Sequence, residues 1–236
     1  MSFNNHKPGK CLMIGHRGAP MIELENTITS FQAAVQRKVD AIELDIRMVQ
    51  ETLYVIHDDS LDRTTTSVGL IETANPYALK TARTLNGEPL PVLNTVIDQM
   101  PVDVGINIEI KGAPCSDEIE NCLHHYPKHD FLISSLDSKK LEPFKNSSPK
   151  IKLAPIFPKW NNEIWDIASS IGAWSIHLHF SLVSETRIET AHAKGLRIFA
   201  YTVNEYALAQ SLAKMGIDGI FTDNPGNRIR QAITII

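Results

Sequence analysis

Residues Ala41 to Thr66 read AIELDIRMVQETLYVIHDDSLDRTTT. Side chains alternate between the two faces of a strand. Ile42, Leu44 and Ile46 therefore share one face of the opening run, and Glu43 and Asp45 share the other. Two carboxylates so close together in an apolar strand repel each other and resist burial, so something positive must sit between them. Only residues 47–52 separate this strand from the apolar run 53–56. A crossover between parallel strands needs about a dozen residues, so residues 47–57 are expected to form a hairpin that returns His57 to the side of Asp45. The stretch GINIEIKG, Gly105 to Gly112, repeats the pattern, with Ile106, Ile108 and Ile110 on one face and Asn107, Glu109 and Lys111 on the other.

Upstream, CLMIGHRGAPMIELENT (Cys11 to Thr27) gives a first strand from Leu12 with His16 and Arg17 at its end. A helix start comes next at Asn26–Thr27, with Phe31, Ala34 and Val35 as its apolar stripe. Residues 58–88 carry Gly69, Pro76 and Gly87 and no sustained period, which reads as an insertion capping the strand ends, with a short helix near 76–84. From Pro91 the rhythm is regular. Helices at 93–100, 117–126, 138–145, 162–170, 184–194 and 205–215 precede strands at 105–110, 131–134, 151–155, 174–179, 196–202 and 219–222, and a last helix covers 226–233. With the hairpin set aside, eight strands are each followed by a helix. That alternation predicts an α/β fold with a parallel sheet, closed as a (β/α)8 TIM barrel; the pattern alone leaves a doubly wound sheet as the alternative. Barrel sites lie at the C-terminal strand ends, where His16, Asp45, Glu109, Lys111, His179, Thr202 and Asp223 all fall.

A chain of 236 residues suits one such barrel, so a single domain over 1–236 with a small insertion at about 58–90 is expected. The net charge of −4 leaves no basic footprint for nucleic acid and no polybasic patch for a membrane. Cys11, Cys115 and Cys122 are odd in number and form no CxxC, as for reduced thiols in a cytoplasmic protein. The opening MSFNNHKPGK lacks a signal-peptide core, and no apolar run reaches membrane-spanning length.

Glu43, Asp45 and Glu109 form an all-oxygen set, which suits Mg2+ or Ca2+ rather than Zn2+. The competing reading pairs Glu43 and Glu109 with Lys111 and Arg17 inside the barrel, and spacing alone does not separate the two. His16 and His57 come from different segments yet meet at one rim. Histidine exchanges protons near neutral pH and suits either role of a general acid–base pair. A lone histidine is more often structural; two beside three strand-end carboxylates favour catalysis. Arg17 and Lys111 are donors for phosphate oxygens. The sequence does not assign acid and base; His16 as base and His57 as acid is the order preferred at this point.

HRGAP with ENT behind it, ELD, HDDSLDRTT, IEIK, YTVN and FTDNP, in order from about Leu12 to Pro225, resemble the glycerophosphodiester phosphodiesterase family. The resemblance implies a TIM barrel that cleaves glycerophosphodiesters to sn-glycerol 3-phosphate and an alcohol. It implies His16 and His57 as the catalytic pair, and Glu43, Asp45 and Glu109 as ligands of one divalent cation, Mg2+ or Ca2+. Arg17 and Lys111 then bind the substrate. The expected partner is a small glycerophosphodiester, with no nucleic acid and no membrane insertion, in a cytoplasmic monomer or homodimer. The alternative keeps the site but acts on lysophospholipids as a phospholipase D. A barrel that binds phosphodiesters without turnover would have lost a catalytic position, and none is missing. The chain departs from the family pattern in three places. Lys38–Val39–Asp40 and Gln50–Glu51–Thr52 replace turns that usually carry Gly, and Tyr201 stands where Trp is frequent.

Weaker signals remain. His179 either reaches the site or is a hydrogen-bonded barrel histidine, the latter preferred. Tyr201 either lines the alcohol pocket or packs in the core, and Trp174 reads as packing. Glu25 and Asn26 pin the first loop. Asp223 either orients a histidine or caps the last turn. His124 to Asp130 (HHYPKHD) resembles a metal site in composition, but it lies at the opposite end of the barrel and reads as solvated surface.

Overall fold

A computed structural model describes residues 2–147 and 151–234. The strands are β1 (Leu12–Gly15), β2 (Ala41–Val49), β3 (Thr52–Val55), β4 (Gly105–Ile110), β5 (Phe131–Ser135), β6 (Lys152–Phe157), β7 (Ser175–His179), β8 (Arg197–Tyr201) and β9 (Gly219–Thr222). The helices are α1 (Ile28–Gln36), α2 (Pro76–Thr81), α3 (Leu93–Gln99), α4 (Ser116–His124), α5 (Ile164–Ser170), α6 (Glu185–Ala193), α7 (Tyr206–Lys214) and α8 (Asn227–Thr234). The sheet runs β1-β9-β8-β7-β6-β5-β4-β2 and closes by pairing β1 with β2. Every pairing within this ring is parallel, while β3 joins β2 antiparallel as the expected hairpin. The fold is thus the closed (β/α)8 barrel and not the doubly wound sheet.

Alternation on β2 and β4 sorts the side chains. Ile42, Leu44, Ile46, Ile106, Ile108 and Ile110 are buried in the layer between barrel and helices. Glu43, Asp45, Asn107 and Glu109 are therefore left to the inside. The register sets Asp45 level with Glu109 and Glu43 level with Asn107. The lower barrel is filled by Leu12, Ile14, Leu132, Phe199 and Phe221, with Phe3 of the N-terminal turn inserted from below. The insertion has its own small core of Tyr54, Ile56, Leu61, Ile71, Leu79 and Leu90, which fixes a segment otherwise poor in regular structure.

One expected helix is absent. Residues 138–145 form two short 3-10 turns, Ser138–Lys140 and Glu142–Asn146, in place of an α-helix. The cause is Pro143, which supplies no N–H and interrupts the run after one turn. The reading of 124–130 as solvated surface is also corrected at its end. Asp130 is buried and accepts bonds from Lys152 and from the Asn4 amide, so it anchors the N-terminal turn beneath the barrel.

The two turns that lack the family's glycines still adopt the glycine conformation. Lys38 has φ +59°, and Gln50 and Glu51 have φ +45° and +65°. Paired positive φ values are those of a type I′ hairpin, which favours Asn-Gly. Replacing Glu51 with Gly is expected to stabilise the protein by about 0.5–1 kcal/mol, since Gly adopts this conformation without the Cβ clash. Equilibrium urea unfolding measures it, and an unchanged or lower midpoint would refute the strain argument.

Candidate active site

The first loop is shaped by two residues in the left-handed region, Arg17 (φ +51°) and Asn26 (φ +56°). Gly18 (φ +91°) sits against Ser30, where an added Cβ would lie 2.4 Å from the Ser30 hydroxyl. This tight turn aims the Arg17 amide at Glu43, donating to Oε2 at 2.7 Å. Thr27 caps α1 by accepting from the Ser30 amide, as the sequence signal implied. Asn26 donates to Asp45 Oδ2 at 2.9 Å and accepts from the Asp45 amide, so it fixes that residue through both side chain and backbone.

The structure brings Glu43, Asp45 and Glu109 together, with one carboxylate oxygen of each within 4.8 Å of the others. All three are buried. Both sequence readings of their surroundings are visible at once. Lys111 Nζ lies 2.6 Å from Glu109 and 3.4 Å from Asp45, and Arg17 Nε lies 3.4 Å from Asp45. These cations do not satisfy the cluster, because Glu43 Oε1 is buried with no hydrogen-bond partner among the described residues. Burial, reinforced by the Asp45 charge, pushes the Glu43 carboxyl up to about 8. Glu109 is raised for the same two reasons. Burial also opposes the Asp45 charge, but Lys111 and Arg17 outweigh it and hold this carboxyl below its usual range. An all-oxygen cluster with an orphaned oxygen and two carboxyls held back from ionising fits a divalent cation such as Mg2+ or Ca2+.

Both histidines stand at the rim of the same cavity. Each has its Nδ1 beside a carboxylate at 2.7 Å, His16 with Asp223 and His57 with Asp58. An ionised carboxylate can only accept, so Nδ1–H donates and Nε2 is the nitrogen left to exchange protons. Asp223 thus orients a histidine, one of its two sequence readings. It is held in turn by Asn204, which donates to Oδ2 at 2.8 Å and accepts from the Asp223 amide. Burial lowers His16, but the Asp223 bond and Glu43 prevail and raise it above its ordinary value. His57 moves the other way, with burial prevailing over Asp45 and Asp58.

Sequence reasoning missed Asn204 and Arg63, although both stand inside quoted motifs. Arg63 grips Asp58 through Nε and Nη2 and grips Glu25 through Nη1 and Nη2, all at 2.6–3.0 Å. Glu25 also accepts from Arg17 at 2.9 Å. The signal was available as charge: Glu25 and Asp58, both near the strand ends, need a cation that Arg17 alone does not supply.

The cavity measures about 450 Å3. His16, Arg17, Glu43, His57, Glu109 and Lys111 line its charged side; Leu136, Ile156, Pro158, Phe180 and Phe221 line an apolar side. His179 also lines it and bonds Ser181, while His177 is the barrel histidine, stacked on Phe199 with burial pulling it down to about 3. Tyr201 does both: it lines the cavity and packs against the lower barrel core. Trp174 packs against Phe3 below the barrel, as expected. No helix among the described residues is long and apolar enough to cross a membrane.

Solved structures share this architecture. A phosphodiesterase from Oleispira antarctica, determined in complex with the product sn-glycerol-3-phosphate, superposes with a TM-score of 0.88 at 24% identity over 99% of each chain. A glycerophosphodiester phosphodiesterase from Thermotoga maritima does so with a TM-score of 0.79 at 23% identity, covering 96% of this chain and 98% of that one. In sequence, the glycerophosphodiester phosphodiesterase of Caldanaerobacter subterraneus subsp. tengcongensis is 29% identical, over 92% of this chain and 95% of the relative. That of Bacillus altitudinis is 27% identical over 92% and 96%. Residues 16–227, from the first histidine of the rim into α8, match the Glycerophosphoryl diester phosphodiesterase family, so this chain belongs to that family and is an enzyme of its class.

Proposed function

We propose that the chain hydrolyses glycerophosphodiesters to sn-glycerol 3-phosphate and a free alcohol, with a divalent cation held by Glu43, Asp45 and Glu109. The observation that carries this reading is the orphaned Glu43 oxygen in a buried three-carboxylate cluster, flanked by two histidines that each lean on an aspartate. When bound, the cation would polarise a phosphate oxygen and offset the charge of the cluster. Arg17 and Lys111 contribute the remaining donors for the phosphate. His57, biased toward its neutral form, takes the proton of the attacking oxygen, which belongs either to water or to the substrate's own glycerol 2-hydroxyl; the second route gives a cyclic phosphate that water then opens. His16, biased toward its protonated form, gives its proton to the departing alcohol oxygen. This order reverses the one preferred from sequence, because only the structure shows Asp223 and Glu43 beside His16.

Release of sn-glycerol 3-phosphate from glycerophosphoethanolamine, after chelation and then with Mg2+ or Ca2+ restored, tests the reading. Product is expected to vanish on chelation and return with the ion. Product indifferent to chelation would remove the cation, and turnover of a micellar lysophospholipid alone would favour the phospholipase D alternative.

Binding also has a thermodynamic signature. A cation at about one hundred times its Kd stabilises the fold by about 2.7 kcal/mol, or about 5–10 °C in melting temperature for a chain of this size. Glu43 binds its proton more tightly when folded, so the cation-free protein should lose stability as pH rises from the ordinary carboxylate range through about 8. Thermal melts at pH 5.5 and pH 8 are therefore expected to show the larger cation-induced rise at pH 8. An equal rise at both, or none, would count against the site.

A further inference from the structure

Four polar atoms in the cavity wall are buried with no hydrogen-bond partner among the described residues: Glu43 Oε1 and Arg17 Nε of the charged side, and also Asn107 Oδ1 and Tyr201 Oη. Buried polar atoms are nearly always hydrogen-bonded, and an exception in a ligand cavity marks a group whose partner comes from outside the chain. Neither Asn107 nor Tyr201 belongs to the carboxylate cluster. Asn107 lies one inward position below Glu109 on β4, and its Nδ2 donates to Ser134 at 3.1 Å, which pins the amide and leaves its carbonyl for the cavity. Tyr201 ends β8, four strands round the ring from β4, with its ring held edge-on against His179 at 5.9 Å. The two groups therefore stand on opposite walls of one cavity, with Asn107 level with Glu43 in the register of β2 and β4. Burial and the Glu109 charge push the Tyr201 phenol up to about 12, so it keeps its proton and remains a donor.

From this geometry we infer that Tyr201 and Asn107 form the subsite for the vicinal hydroxyls of the substrate's glycerol moiety. An amide carbonyl accepts from one hydroxyl, and a phenol donates to the other. A site built to bond a hydroxyl discriminates strongly against a ligand that lacks it, because its own buried groups are then left unpaired. The assignment rests on the glycerophosphodiesterase reading for its ligand, and it goes beyond it in naming the residues that recognise the diol.

Tyr201→Phe removes one oxygen and leaves the ring in place. Calorimetric titration of the Ca2+-loaded protein with sn-glycerol 3-phosphate, with 1,3-propanediol monophosphate and with inorganic phosphate provides the test without turnover. The wild-type protein should bind glycerol 3-phosphate at least tenfold more tightly than the analogue that lacks the 2-hydroxyl. Tyr201→Phe should weaken glycerol 3-phosphate binding about tenfold and leave the phosphate affinity within twofold. Asn107→Ser, with its melting temperature monitored, should weaken the same ligand selectively. Equal affinities of the wild-type protein and Tyr201→Phe for glycerol 3-phosphate would overturn the subsite. So would a wild-type protein that does not distinguish glycerol 3-phosphate from its deoxy analogue. If that same wild-type protein still releases glycerol 3-phosphate from glycerophosphoethanolamine, only the subsite falls; if it releases none, the functional reading falls with it.

Discussion

Replacing His57 or His16 with alanine is expected to lower kcat by about 10²–10⁴-fold, the usual worth of a positioned proton-transfer group, with KM little changed and the melting temperature nearly unaltered. Both rings stand partly exposed at the cavity rim, so their loss opens no void in the packed core. The pH profile separates the two roles. His57 must be neutral to accept a proton, so kcat/KM should rise with pH as it deprotonates. His16 must be protonated to donate, so activity should fall as pH rises past its raised value. Removing a carboxylate beside an imidazolium destabilises the charged form and lowers its pKa. Asp223→Asn should therefore move the alkaline limb to lower pH, and Asp58→Asn should move the acid limb to lower pH. If instead Asp223→Asn moved the acid limb, the two assignments would have to be exchanged. Retention of wild-type kcat by either alanine variant would exclude that histidine from the chemistry.

The second large effect is on stability. Phe3 is buried under the barrel, stacked on Phe199 at 6.4 Å and edge-on to Trp174 at 5.8 Å. Its fit is close enough that a Cβ added at Gly105 would lie 2.8 Å from the Phe3 ring. Phe3→Ala is expected to cost about 3–5 kcal/mol, the range for emptying a buried phenylalanine site, which is about 6–20 °C in melting temperature. Phe3→Leu should recover much of the loss, since it refills most of the volume. Chemical denaturation checks both, and a cost under about 1 kcal/mol for Phe3→Ala would mean that the plug contributes little.

How far the chain could be read depends on the range of each cause. The barrel was legible because alternation on β2 and β4 is a local property, and because a gap of a few residues cannot hold a crossover. The same alternation put Glu43, Asp45 and Glu109 on one face, and the register between β2 and β4 then made them neighbours. The helix expected at 138–145 failed on a local cause that composition did not weigh, a proline one turn in. The supports of the histidines were less legible. Asp223 reaches His16 across 207 positions of sequence, and Arg63 reaches Glu25 across 38. No periodicity carries such distances; only the closed ring brings β9 beside β1. The Phe3 plug was illegible for the same reason, since nothing near it in sequence marks it as part of the barrel.

The clasp of Arg63 on Asp58 and Glu25 bears on how such enzymes can be re-engineered. The insertion has His57, the proposed base, at its root and a separate small core beyond it, which invites exchange of the whole loop to alter the range of substrates. A graft cut between His57 and Arg63 would sever the histidine from its brace and leave Glu25 with Arg17 alone. A transplant that keeps residues 57–63 with the recipient barrel, and replaces only the segment beyond residue 63, leaves both histidine–aspartate pairs intact. The exchangeable module is therefore shorter than the loop: it begins after the Arg63 ion pairs and ends before Glu88, which accepts from the Ile28 amide at the start of α1.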